Sequence, residues 1–199
     1  QREVLAARGP RRQRVRRPQL VLQLRAAGRL RRRGDVSLPA PAIRRVDYTA
    51  AADRAALITL LDAYAQDPMG GGEPLTAECR TRLPQALQQC ASAVSLIAYL
   101  DEQPAGLLNA FQTVSTFAAR PLINVHDLAV ASAFRGQGIA TALLQQIEQI
   151  ARERDCCKLT LEVLSGNHTA RHAYHRCGFA GYELDPMQGH ALFWQKKLA

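Results

Sequence analysis

A chain of 199 residues, 47% of them hydrophobic, is long enough for one core plus an extension, and no apolar run approaches the length of a membrane span. The formal net charge of +9 is unevenly placed: of 26 Lys and Arg, twelve Arg fall in residues 1–40 against only Glu3 and Asp35, so the remainder, with fourteen basic and fifteen acidic side chains, does not call for a polyanionic substrate. Five Cys with no C-x-x-C pair argue against a disulfide framework and for reduced thiols in a cytoplasmic protein.

Residues 1–40 alternate Arg clusters with short apolar pieces such as Leu20-Val21-Leu22, interrupted by Pro10, Pro18 and Pro39. This composition predicts a poorly ordered basic arm up to about Pro41, followed by one domain over residues 41–199. The arm has no Lys and no aromatic residue to stack on bases, and it is nearly free of the Ser that a transit peptide would carry. It reads as a dispensable extension, and nucleic acid is expected as a partner only through its charge, if at all.

Residues 43–46 read as a short strand. Thr49 is placed to cap a helix to about Ala65, with Ala56, Leu57, Leu60, Leu61 and Tyr64 on one face. Asp67-Pro68-Met69-Gly70-Gly71-Gly72 is a loop. A second helix over residues 76–90 turns Leu83, Leu87 and Cys90 inward and contains Pro84, which predicts a bend or a split. Residues 94–100 and 105–114 form a hairpin about the turn Asp101-Glu102-Gln103-Pro104.

Residues 125–130, Val-His-Asp-Leu-Ala-Val, read as the next strand. A short turn and Arg135-Gly136-Gln137-Gly138 come after it. A helix then buries Ile139, Leu143, Ile147, Ile150 and Ala151 on one face. Glycines at a helix entrance let backbone approach a ligand, and the first-turn N–H groups and helix dipole favour an anion there. A Walker loop would need a Gly-Lys-Ser/Thr ending, which is absent. A dinucleotide fingerprint would need a third glycine where Ala140 and Thr141 stand, and too little chain remains for a doubly wound sheet. Residues 158–163, Lys-Leu-Thr-Leu-Glu-Val, are the next strand. Asn167 precedes a helical run over residues 170–176, and Cys177-Gly178-Phe179 ends it. Residues 182–184 and 191–195 are expected to pair as closing strands, with Trp194 as a core anchor.

Two of these stretches together resemble the GCN5-related N-acetyltransferases (GNAT). Arg135-Gly136-Gln137-Gly138-Ile139-Ala140 matches that family's Gln/Arg-x-x-Gly-x-Gly/Ala loop, and Asn167, Ala170, Tyr174, Gly178 and Phe179 match Asn-x-x-Ala-x-x-x-Tyr-x-x-x-Gly-Phe in register. The resemblance covers about residues 41–199 and implies a single α/β domain with a mixed sheet, in which a βαβ unit binds acetyl-CoA as cosubstrate and no metal takes part. It implies that residues 135–141 (Arg135, Gly136, Gln137, Gly138, Ile139, Ala140, Thr141) wrap the pyrophosphate. It further implies that the backbone of Leu128, Ala129 and Val130 pairs with the pantetheine arm, and that Asn167, Ala170 and Tyr174 border it.

The implied reaction moves an acetyl group to a primary amine of a small molecule or a peptide. The amine must lose a proton, the thioester oxygen needs donors as charge develops, and the departing thiolate needs a proton or a hydrogen bond. The resemblance gives Tyr174 the last role. Two candidates remain for the base. Glu162 stands twelve residues before Tyr174, the spacing of base and acid in the ribosomal-protein N-terminal acetyltransferases. His126 stands two residues before Leu128, where the arylalkylamine N-acetyltransferases carry a functional His. Glu162 is set slightly ahead, and a water could link the two. His168, His172 and His175 are spaced like metal ligands but have no carboxylate partner, and are expected to be exposed. The alternative is a non-catalytic acyl-CoA-binding module, which the retained Tyr174 and base candidates disfavour. A homodimer is left open.

Overall fold

The computed structural model describes residues 40–182, 187 and 191–198. The arm expected over residues 1–40 therefore lies outside the described residues, apart from Ala40. In chain order the elements are β1 (Ala42–Arg45), α1 (Ala51–Ala65), α2 (Ala77–Gln89), β2 (Ala93–Leu100), β3 (Gln103–Ser115), β4 (Arg120–Val130), α3 (Ile139–Glu153), β5 (Leu159–Leu161) and α4 (His168–Arg176), with a single 3-10 turn, Ser132–Phe134, between β4 and α3. The five strands form one sheet in the order β1-β2-β3-β4-β5. The first three pairings are antiparallel and β4–β5 is parallel, so α3 is a crossover helix and the sheet is mixed, as expected. No helix among the described residues is long and apolar enough to cross a membrane.

Strand alternation sorts the core onto two faces. Val94, Leu96, Ala98 and Leu100 of β2 pack with Ile139, Leu143, Leu144 and Ile147 of α3 on one side. Ala93 and Ile97 pack with Leu57 and Leu60 of α1 and Leu87 of α2 on the other. Each of these large apolar side chains contributes roughly 1.5–3 kcal/mol by leaving water. The buried stripe of α3 is Ile139, Leu143, Leu144, Ile147 and Ala151, so Leu144 joins the predicted face and Ile150 is only half-buried.

Several local expectations are corrected. Thr49 does not cap α1. The N-cap is Ala50, with no side-chain bond, while the Thr49 hydroxyl donates to the Asp47 carboxylate at 2.7 Å. The helix is entered instead through Asp53 of its first turn, whose carboxylate accepts from the Asp47 N–H at 2.8 Å. Pro84 does not split α2, which runs unbroken from Ala77 to Gln89 behind a Thr76 side-chain cap on the Cys79 N–H, and the proline ring is buried. The β2–β3 turn is two residues, Asp101 and Glu102, both at positive φ, which matches the twist of the strands better than a four-residue loop. The strand expected over residues 158–163 is only Leu159–Leu161, so Glu162 lies beyond it. The closing pair is not formed by its described part: residues 191–198 belong to no strand and Tyr182 is 60% exposed, while residues 183 and 184 lie outside the described residues. With no strand beside it among the described residues, Trp194 has no wall to pack on and is 82% exposed, so it is not a core anchor.

One irregularity decides which way the side chains of β4 face. β3 pairs Asn109 with Asp127 and then Ala110 with Val125, so His126 is an extra residue in β4. This is a β-bulge, and it reverses the facing of the strand beyond it. Ile123 and Val125 belong to the α3-side core, and after the bulge Leu128 and Val130 join that core in their place. Asp127 is thereby set opposite Asn109, on the α1 side of the sheet.

Candidate functional site

β4 and β5 stay paired only through Ile123–Leu159, Asn124–Thr160 and Val125–Leu161. β4 runs on to Val130 while β5 stops, so Leu128, Ala129 and Val130 are bonded to β3 on one edge and have no strand on the other among the described residues. An unpaired strand edge is a row of donors and acceptors, ready for an extended ligand that carries amides. The cleft that opens there has a volume of about 270 Å³ and is lined by Tyr64 and Met69 from the α1 side, by His126 and Leu128 of β4, and by Glu162, Asn167, Ala170 and Tyr174 beyond β5. Six residues proposed from sequence (His126, Leu128, Glu162, Asn167, Ala170 and Tyr174) thus share one cleft. Phe193, which no sequence motif singles out, lines it as well.

At the inner end of the β4 edge the chain turns through Ser132–Phe134 into Arg135-Gly136-Gln137-Gly138. Gly136 and Gly138 both have φ of +79°, which side chains rarely adopt, and a Cβ placed on either would meet no protein atom within 4 Å. Gly138 is the N-cap of α3 and offers no side-chain cap, so the N–H groups of Ile139, Ala140 and Thr141 head a 15-residue helix with no intrahelical partner. That is an anion cradle with open space in front of it. The residues contribute unequally: the Ile139 side chain is buried in the core, so only its backbone is available. The Arg135 side chain is engaged by two protein partners. It pairs with the Asp67 carboxylate at 3.0 Å, and its Nε donates to the Val130 carbonyl at 3.3 Å. Asp67 also accepts from the Met69 N–H at 2.9 Å. The Met69 N–H and then Arg135 hold its carboxyl below the ordinary range.

Tyr174 is positioned by the end of its own helix. Cys177 caps α4, Gly178 comes next at φ +85°, the Gly178 N–H reaches the His175 carbonyl and the Phe179 N–H reaches the Tyr174 carbonyl, both at 3.0 Å. This pair of bonds ends a helix only when the residue after the cap is left-handed, hence glycine, and it sets Phe179 beside the Tyr174 ring, with centroids 6.0 Å apart. Burial, and then the neighbouring Tyr64, push the Tyr174 hydroxyl up to about 12. At the other end of α4 the Asn167 side-chain oxygen caps the Ala170 N–H at 3.1 Å, which leaves its amide N–H groups free of partners among the described residues.

Glu162 is exposed and accepts from the Asn124 amide on β4 at 3.1 and 3.2 Å. His126 is exposed too, its ring edge-on to Phe111 with centroids 5.6 Å apart. His168, His172 and His175 are exposed, and among the described residues no group of three or more His, Cys, Asp or Glu could hold a metal. Sequence reasoning misses Asp127. Its Oδ2 accepts from the Asn109 amide at 3.0 Å, the Asn109 oxygen accepts from the Ser95 hydroxyl at 2.6 Å, and Ser95 accepts from the Tyr48 hydroxyl at 2.8 Å. The slip in phase shows in the burial: the β4 residues on the α3-side core are Ile123, Val125, Leu128 and Val130, and the break in their two-residue period marks the bulge.

A family model described as the acetyltransferase (GNAT) family matches residues 57–179. Streptothricin acetyltransferase of Streptomyces lavendulae is 41% identical over 80 residues, which are 40% of this chain and 42% of that protein, so the match spans less than half the length of the curated relative. Among solved structures, a probable acetyltransferase superposes with a TM-score of 0.64 at 22% identity, covering 78% of this chain and 99% of that one. An aminoglycoside acetyltransferase from an uncultured soil metagenomic sample, in complex with sisomicin, gives 0.64 at 18% identity, covering 80% and 97%. At these identities the structural matches show a common fold.

Proposed function

Because the chain belongs to the acetyltransferase (GNAT) family, we propose that it transfers an acetyl group from acetyl-CoA directly to a primary amine. The observation that carries this reading is the splayed end of β4, where one open strand edge joins a glycine cradle at a helix N-terminus to a cleft holding Tyr174. The cradle formed by Gly136, Gly138 and the first N–H groups of α3 would take the pyrophosphate, with Gln137, Ala140 and Thr141 around it. Leu128, Ala129 and Val130 would pair with the pantetheine amides, and Asn167 would add a donor through its free amide beside Ala170.

Tyr174 acts on the leaving sulfur. A hydroxyl held at about 12 stays protonated at neutral pH. It is a weaker acid than an ordinary thiol, at roughly 8.5, so its main contribution is a hydrogen bond to sulfur as negative charge develops there. Glu162 and His126 border the same cleft and are the two groups able to take the proton of the attacking amine. Glu162 has its carboxylate oriented by Asn124, which favours it as the base, with His126 the second candidate and a water the means of linking them. The acceptor class is supported by relatives whose names specify streptothricin and aminoglycosides, and we read it as a small molecule bearing amines.

The test is release of free thiol from acetyl-CoA in the presence of a panel of primary amines. Amine-dependent release is the expected result. Tight acetyl-CoA binding with no turnover on any amine would make the chain a non-catalytic acyl-CoA-binding module instead.

A further inference from the structure

We propose that Asp127 is an acceptor-binding residue that selects amines carrying a second cationic group. This rests on the acetyl-transfer reading of the same cleft and names the chemistry of its acceptor.

The bulge at His126 turns Asp127 onto the α1 side of the sheet, between His126 and Leu128, which both line the cleft. There it meets a one-way series of donors. Tyr48 gives its proton to Ser95, Ser95 gives its proton to the Asn109 oxygen, and the Asn109 amide, so oriented, can only donate to Asp127. Ser95 and Asn109 are 1% and 3% exposed, so the orientation is fixed inside the core. Every dipole in the series points its positive end at the carboxylate.

That anion has no cation. The six ion pairs among the described residues all lie elsewhere, and Asp67, the other carboxylate whose charge acts on Tyr64, is neutralised by Arg135. Asp127 Oδ1 has no hydrogen-bond partner among the described residues, yet no buried side-chain oxygen is left unsatisfied, so Oδ1 is the solvent-facing oxygen. A half-buried carboxylate with one oxygen anchored and one open, whose charge acts on the cleft residue Tyr64, is complementary to an ammonium or guanidinium group. The attacking nitrogen must be a neutral amine when it reacts. The charge at Asp127 therefore suits a different nitrogen of the same acceptor, one that stays protonated.

The experiment compares α,ω-diamines of three to six carbons with the matched n-alkyl monoamines, in wild type and in Asp127→Asn. The substitution keeps the shape and an oxygen for Asn109, so the fold is retained. In wild type, kcat/KM for the best diamine should exceed that of its monoamine by about ten- to a hundredfold, the scale of one charged hydrogen bond. In Asp127→Asn the ratio should fall to near one through a higher KM for the diamine, with kcat and the monoamine kinetics kept. Calorimetric binding of the same diamines with CoA present gives a readout that needs no turnover: binding lost in Asp127→Asn supports the proposal even where no acetyl transfer is seen, a result that would overturn the acetyl-transfer reading alone. Absence of a diamine preference in wild type, diamine binding equal in the two proteins, or a loss of kcat on mono- and diamines alike would overturn it.

Discussion

Tyr174 carries the most specific expectation at the scale of single residues. Tyr174→Phe keeps the ring against Phe179 and removes the hydroxyl, so KM for acetyl-CoA should hold while kcat falls by roughly 10²–10⁴. With its hydroxyl at about 12, Tyr174 gives the rate no alkaline limb below about pH 11. Its raised value also bears on stability. The contribution is complete below the unfolded value near 10 and is lost as pH rises toward 12, so melting temperatures of wild type should drop over that window more than those of Tyr174→Phe. The base behaves differently. Glu162→Gln or His126→Asn, whichever removes the proton acceptor, should recover part of its rate as pH rises and free amine becomes abundant, and Tyr174→Phe should not. A Tyr174→Phe enzyme at wild-type kcat across the pH range would leave the leaving sulfur without a partner. The helix ends that hold Asn167 and Tyr174 follow strict local rules, Asn at the cap, Gly at the left-handed position and an apolar residue after it, and these were legible in the sequence. Asp127 was not, because its role depends on a register shift against another strand.

At the scale of elements, the glycine turn and the bulge answer to different tests. Gly138→Trp places an indole in the open space before α3 and at a φ that resists side chains, so acetyl-CoA binding by calorimetry should vanish in a protein that still melts cooperatively. Retained affinity would move the pyrophosphate site elsewhere. Deleting His126 is the informative change in β4. It leaves Ile123, Val125, Leu128 and Val130 in unbroken alternation, so the core should tolerate the loss. It also removes the kink beside the cleft, and amine turnover should fall far more than for His126→Ala, which keeps the extra residue. Equal activity in the two would show that the imidazole matters and the bulge does not. Long amphipathic elements such as α3 were readable because their burial repeats every turn. The C-terminal stretch was not: the apolar cluster Leu192, Phe193 and Trp194 reads as a strand by composition, but a strand needs a partner, and residues 191–198 have no ladder among the described residues.

Charge is segregated along the whole molecule. Twelve Arg precede residue 41, and every residue assigned to the cleft and the cradle lies between Tyr64 and Phe193. A chain beginning at Pro41 should keep its kcat, and any binding to nucleic acid should depend steeply on salt and disappear with that segment. Loss of turnover in a well-folded truncation would bring the arm into the active site. The Arg135–Asp67 ion pair ties the loop after α1 to the glycine turn. A solvent-exposed ion pair is weak, so drawing Arg135 onto a pyrophosphate costs little affinity. Coupling of this kind is reciprocal. If the cradle competes with Asp67 for Arg135, then filling the cradle must free the loop, and Met69 and the three glycines after it become a better protease substrate when CoA is present than when it is absent. Most ligands protect the chains they bind. Here limited digestion coupled to mass spectrometry should find one bond in residues 67–72 cut faster in the complex, and Asp67→Asn should be cut at that faster rate with or without CoA.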